Sequence, residues 1–156
     1  MKKLFAAIAI ATAAFIGLAT PSQAGLLSIF QPKPKIVATV SISEQKMFLA
    51  VTDSRGETRK YVWDVSTGAT GFDTPTGNFT PTWLSKDHKS KEYDDAPMPF
   101  AVFFNDGIAV HATQAISKLG QPASHGCVRL APENAAAFYD LVETYGKFST
   151  KIVVKA

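Results

Sequence analysis

The residues of this chain that could perform covalent chemistry gather around its single cysteine, Cys127. The run Ser124–Arg129 reads SHGCVR. In an extended backbone, the alternation of side chains would place His125, Cys127 and Arg129 on one face and apolar side chains on the other. Cationic neighbours stabilise the thiolate, which is the nucleophilic form of cysteine. The run therefore predicts a reactive thiol in a polar cleft.

A second histidine comes from a separate part of the chain. The apolar run Gly107–His111 predicts a β-strand, and a neighbouring strand would bring the imidazole of His111 to Cys127. There it would serve as the general base of a covalent acyl transfer. Gly126 permits a close approach of substrate, so that main-chain N–H groups at Gly126 and Cys127 could bind an oxyanion. The third histidine, His88, lies in a charged segment, and we expect it to be solvated.

The N-terminus indicates where this thiol works. Lys2 and Lys3 precede an almost wholly apolar run, Leu4–Ala19, and Ser22–Ala24 supplies the small residues of a cleavage site. The pattern is typical of a secretory signal peptide, residues 1–24, so we expect a protein exported to the periplasm or cell envelope. A retained membrane anchor is the alternative. Most cysteines of exported proteins are paired, so a lone one is inert and buried, bridged to another chain, or reactive.

Length and composition limit the possible functions. A chain of 156 residues suffices for one domain, and 46% hydrophobic with 19% charged residues is typical of a globular protein. It has 16 basic and 13 acidic side chains, and two of the basic ones are in the expected signal peptide. The remainder is close to neutral and has no basic block, which argues against nucleic acid as a partner.

Short runs rich in β-branched and aromatic residues predict a mostly β domain that follows a proline-containing linker, residues 25–35. One helix is expected over Ala131–Tyr145, because Pro132 suits its first turn and Gly146 its end. The charged stretch Ser85–Ala96 is expected to be a loop that covers a functional site. The expected strands are Ile36–Ser43, Lys46–Thr52, Arg59–Ser66, Phe79–Leu84, Phe100–Phe104, Gly107–His111 and Lys151–Val154.

The motif Ser124–Arg129 resembles the active-site signature of the L,D-transpeptidase catalytic domain, the YkuD-like family. Val110–Thr113 (VHAT) is similar to the second motif of that family, with Ala112 where glycine is usual. The run Ser66–Gly68 followed by Thr74–Phe79 resembles a third block. Three ordered blocks make the resemblance much more specific than the cysteine motif alone.

This resemblance covers nearly all of an expected catalytic domain at residues 36–156. It implies a mostly β fold, a β-sandwich or distorted barrel with one main helix at about 131–145. It also implies an enzyme that acts on peptidoglycan stem peptides. We expect this enzyme to be a monomer, and its thiol chemistry requires no metal or other cofactor.

Individual roles follow from the same resemblance. Cys127 matches the nucleophile, and His111 matches the histidine that takes up and returns its proton. A guanidinium can bind a carboxylate bidentately, so Arg129 suits a carboxylate of the stem peptide. The residues for which the resemblance implies oxyanion or substrate binding are Ser124, His125, Gly126 and Arg129.

The implied reaction is attack of the thiolate on the third stem residue, loss of the terminal D-alanine, and transfer of the resulting thioester to an amine. The amine acceptor is a neighbouring stem, which gives a 3→3 cross-link, or a lipoprotein lysine. Three alternatives stay open from the residues. Water in place of the amine gives an L,D-carboxypeptidase or endopeptidase. A zinc enzyme would use His111, His125 and Cys127 as ligands. A wall-binding module would have no activity.

Overall fold

The computed structural model describes residues 35–156, so the expected signal peptide and residues 25–34 of the expected linker lie outside the described residues. Within the described residues the chain is mostly β, with two sheets and one α-helix. In this part of the chain no helix is long and apolar enough to cross a membrane. The predicted fold class, a mostly β sandwich or distorted barrel with one main helix, is confirmed, and the two sheets of the described residues do not close into a barrel.

The strands, in chain order, are β1 (Lys35–Ser41), β2 (Lys46–Thr52), β3 (Thr58–Asp64), β4 (Gly77–Phe79), β5 (Trp83–Lys89), β6 (Pro97–Asn105), β7 (Ile108–Ala112), β8 (Val128–Leu130) and β9 (Thr150–Lys155). The helix α1 spans Pro132–Tyr145. Two short 3₁₀ turns lie at Ile116–Lys118 and Lys147–Ser149.

The five-stranded sheet has the order β3-β2-β1-β9-β4. Its central strand β1 pairs antiparallel with β2 and parallel with β9, in registers without a break. Alternate residues of β1 point into the core, and Ile36, Ala38 and Val40 are fully buried. This alternation is typical of a sheet with one buried and one solvated face.

The four-stranded sheet has the order β5-β6-β7-β8, and its last pair, β7 and β8, is parallel. It is less regular, because the register shifts between Phe103 and Asn105 of β6. One face of this sheet joins the five-stranded sheet and α1 in the main core. The opposite face carries a second, small apolar cluster, and Cys127 packs against it. The members of that cluster are Met98, Ala101, Phe103 and Ala109.

The helix closes the main core. Pro132 occupies its first turn and Gly146 follows its last residue, as predicted. Its buried side chains recur at helical spacing and pack against β6 and β7. They are Ala135, Phe138, Tyr139 and Val142.

One predicted strand is wrong. The run Phe79–Leu84 is divided between β4 and β5, which belong to different sheets. Pro81, buried between them, has no N–H group with which to continue a ladder, so the chain leaves one sheet and enters the other at that point. The apolar and aromatic composition of the run did not reveal this change of sheet.

The predicted loop Ser85–Ala96 is wrong in its first part, because β5 continues to Lys89 and only residues 90–96 form the connection to β6. β5 is an edge strand of its sheet and most of its side chains are exposed or half-buried. An edge strand with polar side chains has the composition of a loop, so composition alone could not separate the two.

Candidate active site

A cleft of about 740 Å³ opens over the second apolar cluster, on the face of the four-stranded sheet turned away from the main core. Its lining includes Cys127, His111, His125 and Arg129, which come from β7, β8 and the residues just before β8. The segment that joins β5 to β6 forms another wall. The structure thus brings together the residues that the sequence singled out.

Cys127 directly precedes β8, whose residues Val128 and Leu130 are fully buried and anchor this part of the chain. Its Sγ accepts a hydrogen bond from the backbone N–H of Ala109 on β7, at 3.5 Å. The thiol also lies 3.9 Å from the carbonyl oxygen of Gly107, to which it donates. The sulfur is thereby held against the backbone of the adjacent strand.

Burial and neighbouring groups have opposite effects on the protonation state of Cys127. Burial raises the pKa of its thiol, while the Ala109 N–H and the positive charge of Arg129 act in the opposite direction without cancelling that effect. Arg129 thus favours the thiolate, as expected for a cationic neighbour, but burial has the larger effect. The thiol is protonated at neutral pH, so reaction as a nucleophile requires a base.

His111 lies on β7, two residues beyond Ala109, and therefore on the same face of the sheet as Cys127. It is only 5% exposed, and its Nδ1 lies 2.7 Å from the carbonyl oxygen of Ala112. A carbonyl can only accept, so Nδ1 carries the proton and Nε2 has the free lone pair. Burial lowers the pKa of His111 to about 4. At neutral pH the imidazole is thus an uncharged base.

His125 is exposed, but two aromatic rings fix its orientation. Tyr93, from the segment between β5 and β6, stacks on it with ring centroids 4.5 Å apart and an interplanar angle of 14°. Phe72 meets the imidazole edge-on at 4.6 Å. The segment that carries Tyr93 therefore covers this side of the cleft, as expected for the loop.

Ser124 and Gly126 shape the turn before the cysteine. The buried hydroxyl of Ser124 donates to the carbonyl oxygen of Cys127 at 2.6 Å and accepts from the Gly126 N–H at 3.1 Å. Gly126 has φ +109°, and a Cβ there would lie 2.8 Å from Cδ1 of Ile108. Only glycine fits this position. Since its N–H already donates to Ser124, an oxyanion bound at Gly126 would have to share that donor.

Thr74 supports the same turn from outside the cysteine motif. Its hydroxyl donates to the Gly126 carbonyl oxygen at 2.8 Å and accepts from the Gly68 N–H at 2.8 Å. Gly68 is itself constrained, since a Cβ there would lie 1.8 Å from the carbonyl oxygen of Phe72. The third block of the resemblance is thus joined by hydrogen bonds to the residues around Cys127.

Arg129 is half-buried and lines the cleft. Its backbone is held on both sides, because it pairs with His111 in the β7–β8 ladder and with Ser66 in an isolated bridge. One guanidinium N–H donates to the carbonyl oxygen of Ala123 at 3.1 Å. The guanidinium has five N–H donors, so it can bind a carboxylate while it keeps this contact.

Sequence reasoning missed the aromatic residues around the cleft. Phe72 and Tyr93 carried no signal, because each is an isolated aromatic in a polar stretch and their contacts with His125 are long-range. His88 was expected to be solvated, and this is wrong. It is half-buried, with its ring edge-on to Trp83 at 5.3 Å and to Phe103 at 4.9 Å.

A metal centre has no ligand set in the described part of the chain. Among residues 35–156, no three His, Cys, Asp or Glu side chains lie close enough together to hold a metal ion. Within these residues, His111, His125 and Cys127, the ligands of the zinc alternative, therefore do not form such a group. The imidazole of His125 is stacked on Tyr93 and meets Phe72 edge-on.

Comparison with known families identifies a match that covers most of the chain. The sequence profile of the L,D-transpeptidase catalytic domain (YkuD) matches residues 35–154. No curated protein matches the chain in sequence.

Solved structures show the same fold. An L,D-transpeptidase from Mycobacterium tuberculosis H37Rv is 22% identical, with a TM-score of 0.67 over 79% of this chain and 58% of that one. L,D-transpeptidase 3 of M. tuberculosis, in complex with a faropenem-derived adduct, is 21% identical, with a TM-score of 0.66 over 79% and 61%. An L,D-transpeptidase from Xylanimonas cellulosilytica is 25% identical, with a TM-score of 0.57 over 85% and 68%. This chain spans about three-fifths of the first two proteins.

Proposed function

Because this chain belongs to the L,D-transpeptidase catalytic domain family, we propose that it is a cysteine acyltransferase that acts on peptidoglycan stem peptides. The observation that carries the proposal is the pair formed by Cys127 and His111 on one face of the four-stranded sheet. A protonated thiol and an uncharged imidazole with a free Nε2 are the starting states that general-base activation of a nucleophile requires.

In the first half of the reaction, Nε2 of His111 removes the thiol proton as Sγ of Cys127 bonds to the carbonyl carbon of the third stem residue. The negative charge that develops on the carbonyl oxygen falls near the Cys127 N–H, which is the expected oxyanion donor. The carbon–nitrogen bond then breaks. His111 returns its proton to the departing amine, and the terminal D-alanine is released. The rest of the stem stays bound to Cys127 as a thioester.

In the second half, an amine of another stem attacks the thioester carbon while His111 takes up one of its protons. The carbon–sulfur bond breaks, the proton returns to sulfur, and an amide links the two stems 3→3. A lipoprotein lysine could take the place of the stem amine. Attack by water through the same steps would make the protein an L,D-carboxypeptidase or endopeptidase. How well the segment that carries Tyr93 excludes water decides between these outcomes.

Arg129 is proposed to bind a carboxylate of the stem through its remaining guanidinium donors. Ser124 and Thr74 are proposed to act through the backbone, since their hydroxyl groups hold the turn in which Cys127 lies. His125 stands exposed beside the thiol, and we propose that it contacts the substrate.

We also propose that the enzyme works in the periplasm or cell envelope after cleavage behind Ala24. The charged N-terminus, the apolar run and the small residues before Gly25 support this. N-terminal sequencing of exported protein should start at Gly25, and material that still begins with Met1 would contradict it.

The proposed function is tested by incubating the protein with a stem tetrapeptide, with and without a labelled D-amino acid as the amine acceptor. We expect D-alanine release, formation of the labelled tetrapeptide, and a thioester adduct visible by intact mass. Cys127→Ala, which removes only the sulfur, should show none of these. Tripeptide as the main product despite a saturating acceptor would identify a carboxypeptidase. No release by the wild type would contradict the proposal.

A further inference from the structure

Trp83 lies on the same face of the four-stranded sheet as Cys127, at the opposite edge. It pairs with Phe103, which pairs with Ala109, and the Ala109 N–H meets Sγ of Cys127. These four residues form one row across the sheet. Neighbouring strands are ~4.8 Å apart, so three steps place the Trp83 backbone about 14 Å from that of Cys127.

The indole of Trp83 is rigidly supported and exposed. Its ring lies on that of the buried Phe103 with centroids 4.1 Å apart and an interplanar angle of 3°. His88 braces it edge-on, and the N–H and hydroxyl of Thr82 both donate to the Phe103 carbonyl oxygen. Trp83 is nevertheless 43% exposed. An aromatic ring that is packed on one neighbour and partly exposed is suited to stack on a flat apolar surface such as that of a pyranose.

The cleft reaches the turn between β6 and β7, at the end of the strand that carries the Phe103 on which Trp83 is supported. Its lining includes Asn105, Asp106 and Gly107, the turn between β6 and β7, and Asn105 lies two residues beyond Phe103. A carboxamide offers both donors and acceptors, which match the hydroxyl and N-acetyl groups of an amino sugar. An aromatic platform with a few convergent polar groups is the usual composition of a small-ligand site.

We propose that Trp83 forms a subsite for the N-acetylated sugar to which the donor stem peptide is attached. This inference rests on the proposed function. Three extended residues span ~10 Å, and the lactyl bridge to the sugar lengthens this reach. With the third stem residue at Cys127, the attached sugar therefore reaches Trp83. The enzyme then selects a stem carried by a glycan strand over a free peptide.

The test compares two donors, a free stem tetrapeptide and the same peptide carried by an N-acetylated disaccharide. We expect Trp83→Ala to lower kcat/KM about tenfold for the disaccharide donor and to leave that for the free peptide unchanged. Trp83→Leu, which still covers Phe103, should behave in the same way. Phe148→Ala is the matched control, because Phe148 is 96% exposed and lies outside the cleft. It should affect neither donor.

A second readout requires no turnover. Calorimetric titration of Cys127→Ala protein with a tetramer of N-acetylglucosamine should show binding that Trp83→Leu, added to the same background, weakens at least tenfold. If the Trp83 variants lose kcat/KM equally for both donors, or lose none for either donor, the proposed subsite is overturned. If the wild type uses neither donor, the proposed function fails, and the titration alone then decides the sugar site.

Discussion

The two sheets differ in how regular their backbones are. In the five-stranded sheet, β1 and β2 pair over seven residues each without a shift. In the four-stranded sheet the register shifts within β6, Phe100 has φ +56°, and β8 is only three residues long. Gly126, next to the nucleophile candidate, has φ +109°.

These irregularities lie beside the cleft, and the regular sheet lies behind the core. Backbone strain costs free energy and persists only where the surrounding structure holds it. Here the unbroken ladders of the five-stranded sheet and the packing of α1 stabilise the domain. The four-stranded sheet can therefore hold Cys127, His111 and Arg129 in positions that suit chemistry. Substitutions in the two sheets should accordingly affect different properties.

The largest expected effect is a loss of turnover, caused by substitutions at the cleft side of the four-stranded sheet. Cys127→Ser should lower tetrapeptide turnover at least a thousandfold, because a hydroxyl is a much weaker nucleophile. His111→Ala should be nearly as inactive. Because Cys127 and His111 act as one unit, turnover of the Cys127→Ser/His111→Ala double variant should be hardly lower than that of the less active single variant. Additive losses in steady-state kinetics would contradict this coupling. Chemical denaturation should show that Cys127→Ser folds normally.

The five-stranded sheet should show the opposite behaviour. Leu49→Ala empties a buried position of β2 in the main core, and should lower the free energy of unfolding by about 2–5 kcal/mol. Turnover per folded molecule should not change. Phe48→Ala is the matched control, since this neighbour is 37% exposed on the outer face, and should cost less than about 1 kcal/mol in urea unfolding. A catalytic defect in folded Leu49→Ala would break the comparison.

The buried His111 should make stability depend on pH. Its pKa is about 4 when folded and 6.5 in its ordinary state, so between these values the unfolded chain binds a proton that the folded protein does not. The stabilising contribution is fully present above pH 6.5 and is lost as pH falls toward 4, by about 3 kcal/mol. Glutamine does not titrate, so the free energy of unfolding of His111→Gln should fall less than that of the wild type as the pH is lowered from 7.5 to 4. A constant difference over that range would contradict the argument.

The smallest of these effects concerns Arg129. Arg129→Ala should weaken use of the tetrapeptide by ~1.5–3 kcal/mol, the worth of one charge-assisted hydrogen bond, as a rise in KM or a fall in kcat/KM. Folding should be affected less, through loss of the contact with the Ala123 carbonyl. Arg129→Lys keeps the charge and should recover part of the activity. Unfolding of Arg129→Ala with normal activity per folded molecule would make the residue structural.

Sequence reasoning was most successful where a local pattern determines structure. Strand β2 follows from its run of strand-forming residues and helix α1 from the proline and glycine at its ends, and the cysteine motif indicated the residues that meet in the cleft. Sequence reasoning failed where contacts between distant segments of the chain determine the structure. Three features depend on which segments become neighbours in the fold. They are the change of sheet at Pro81, the edge strand over Trp83–Lys89 and the stacking of Tyr93 on His125. The sequence also did not reveal that burial raises the pKa of the Cys127 thiol and outweighs the effect of the nearby Arg129 charge.

The central claim is that His111 activates a protonated Cys127 for acylation, and labelling of the thiol tests it most directly. A carbapenem-type acylating agent is a suitable probe, because attack of an activated thiol opens its β-lactam ring and leaves a covalent adduct. Intact mass spectrometry should show one adduct on the wild type, none on Cys127→Ala, and a rate for His111→Ala lower by roughly a hundredfold or more. Equal rates for the wild type and His111→Ala would contradict the account and transfer the role of base to His125.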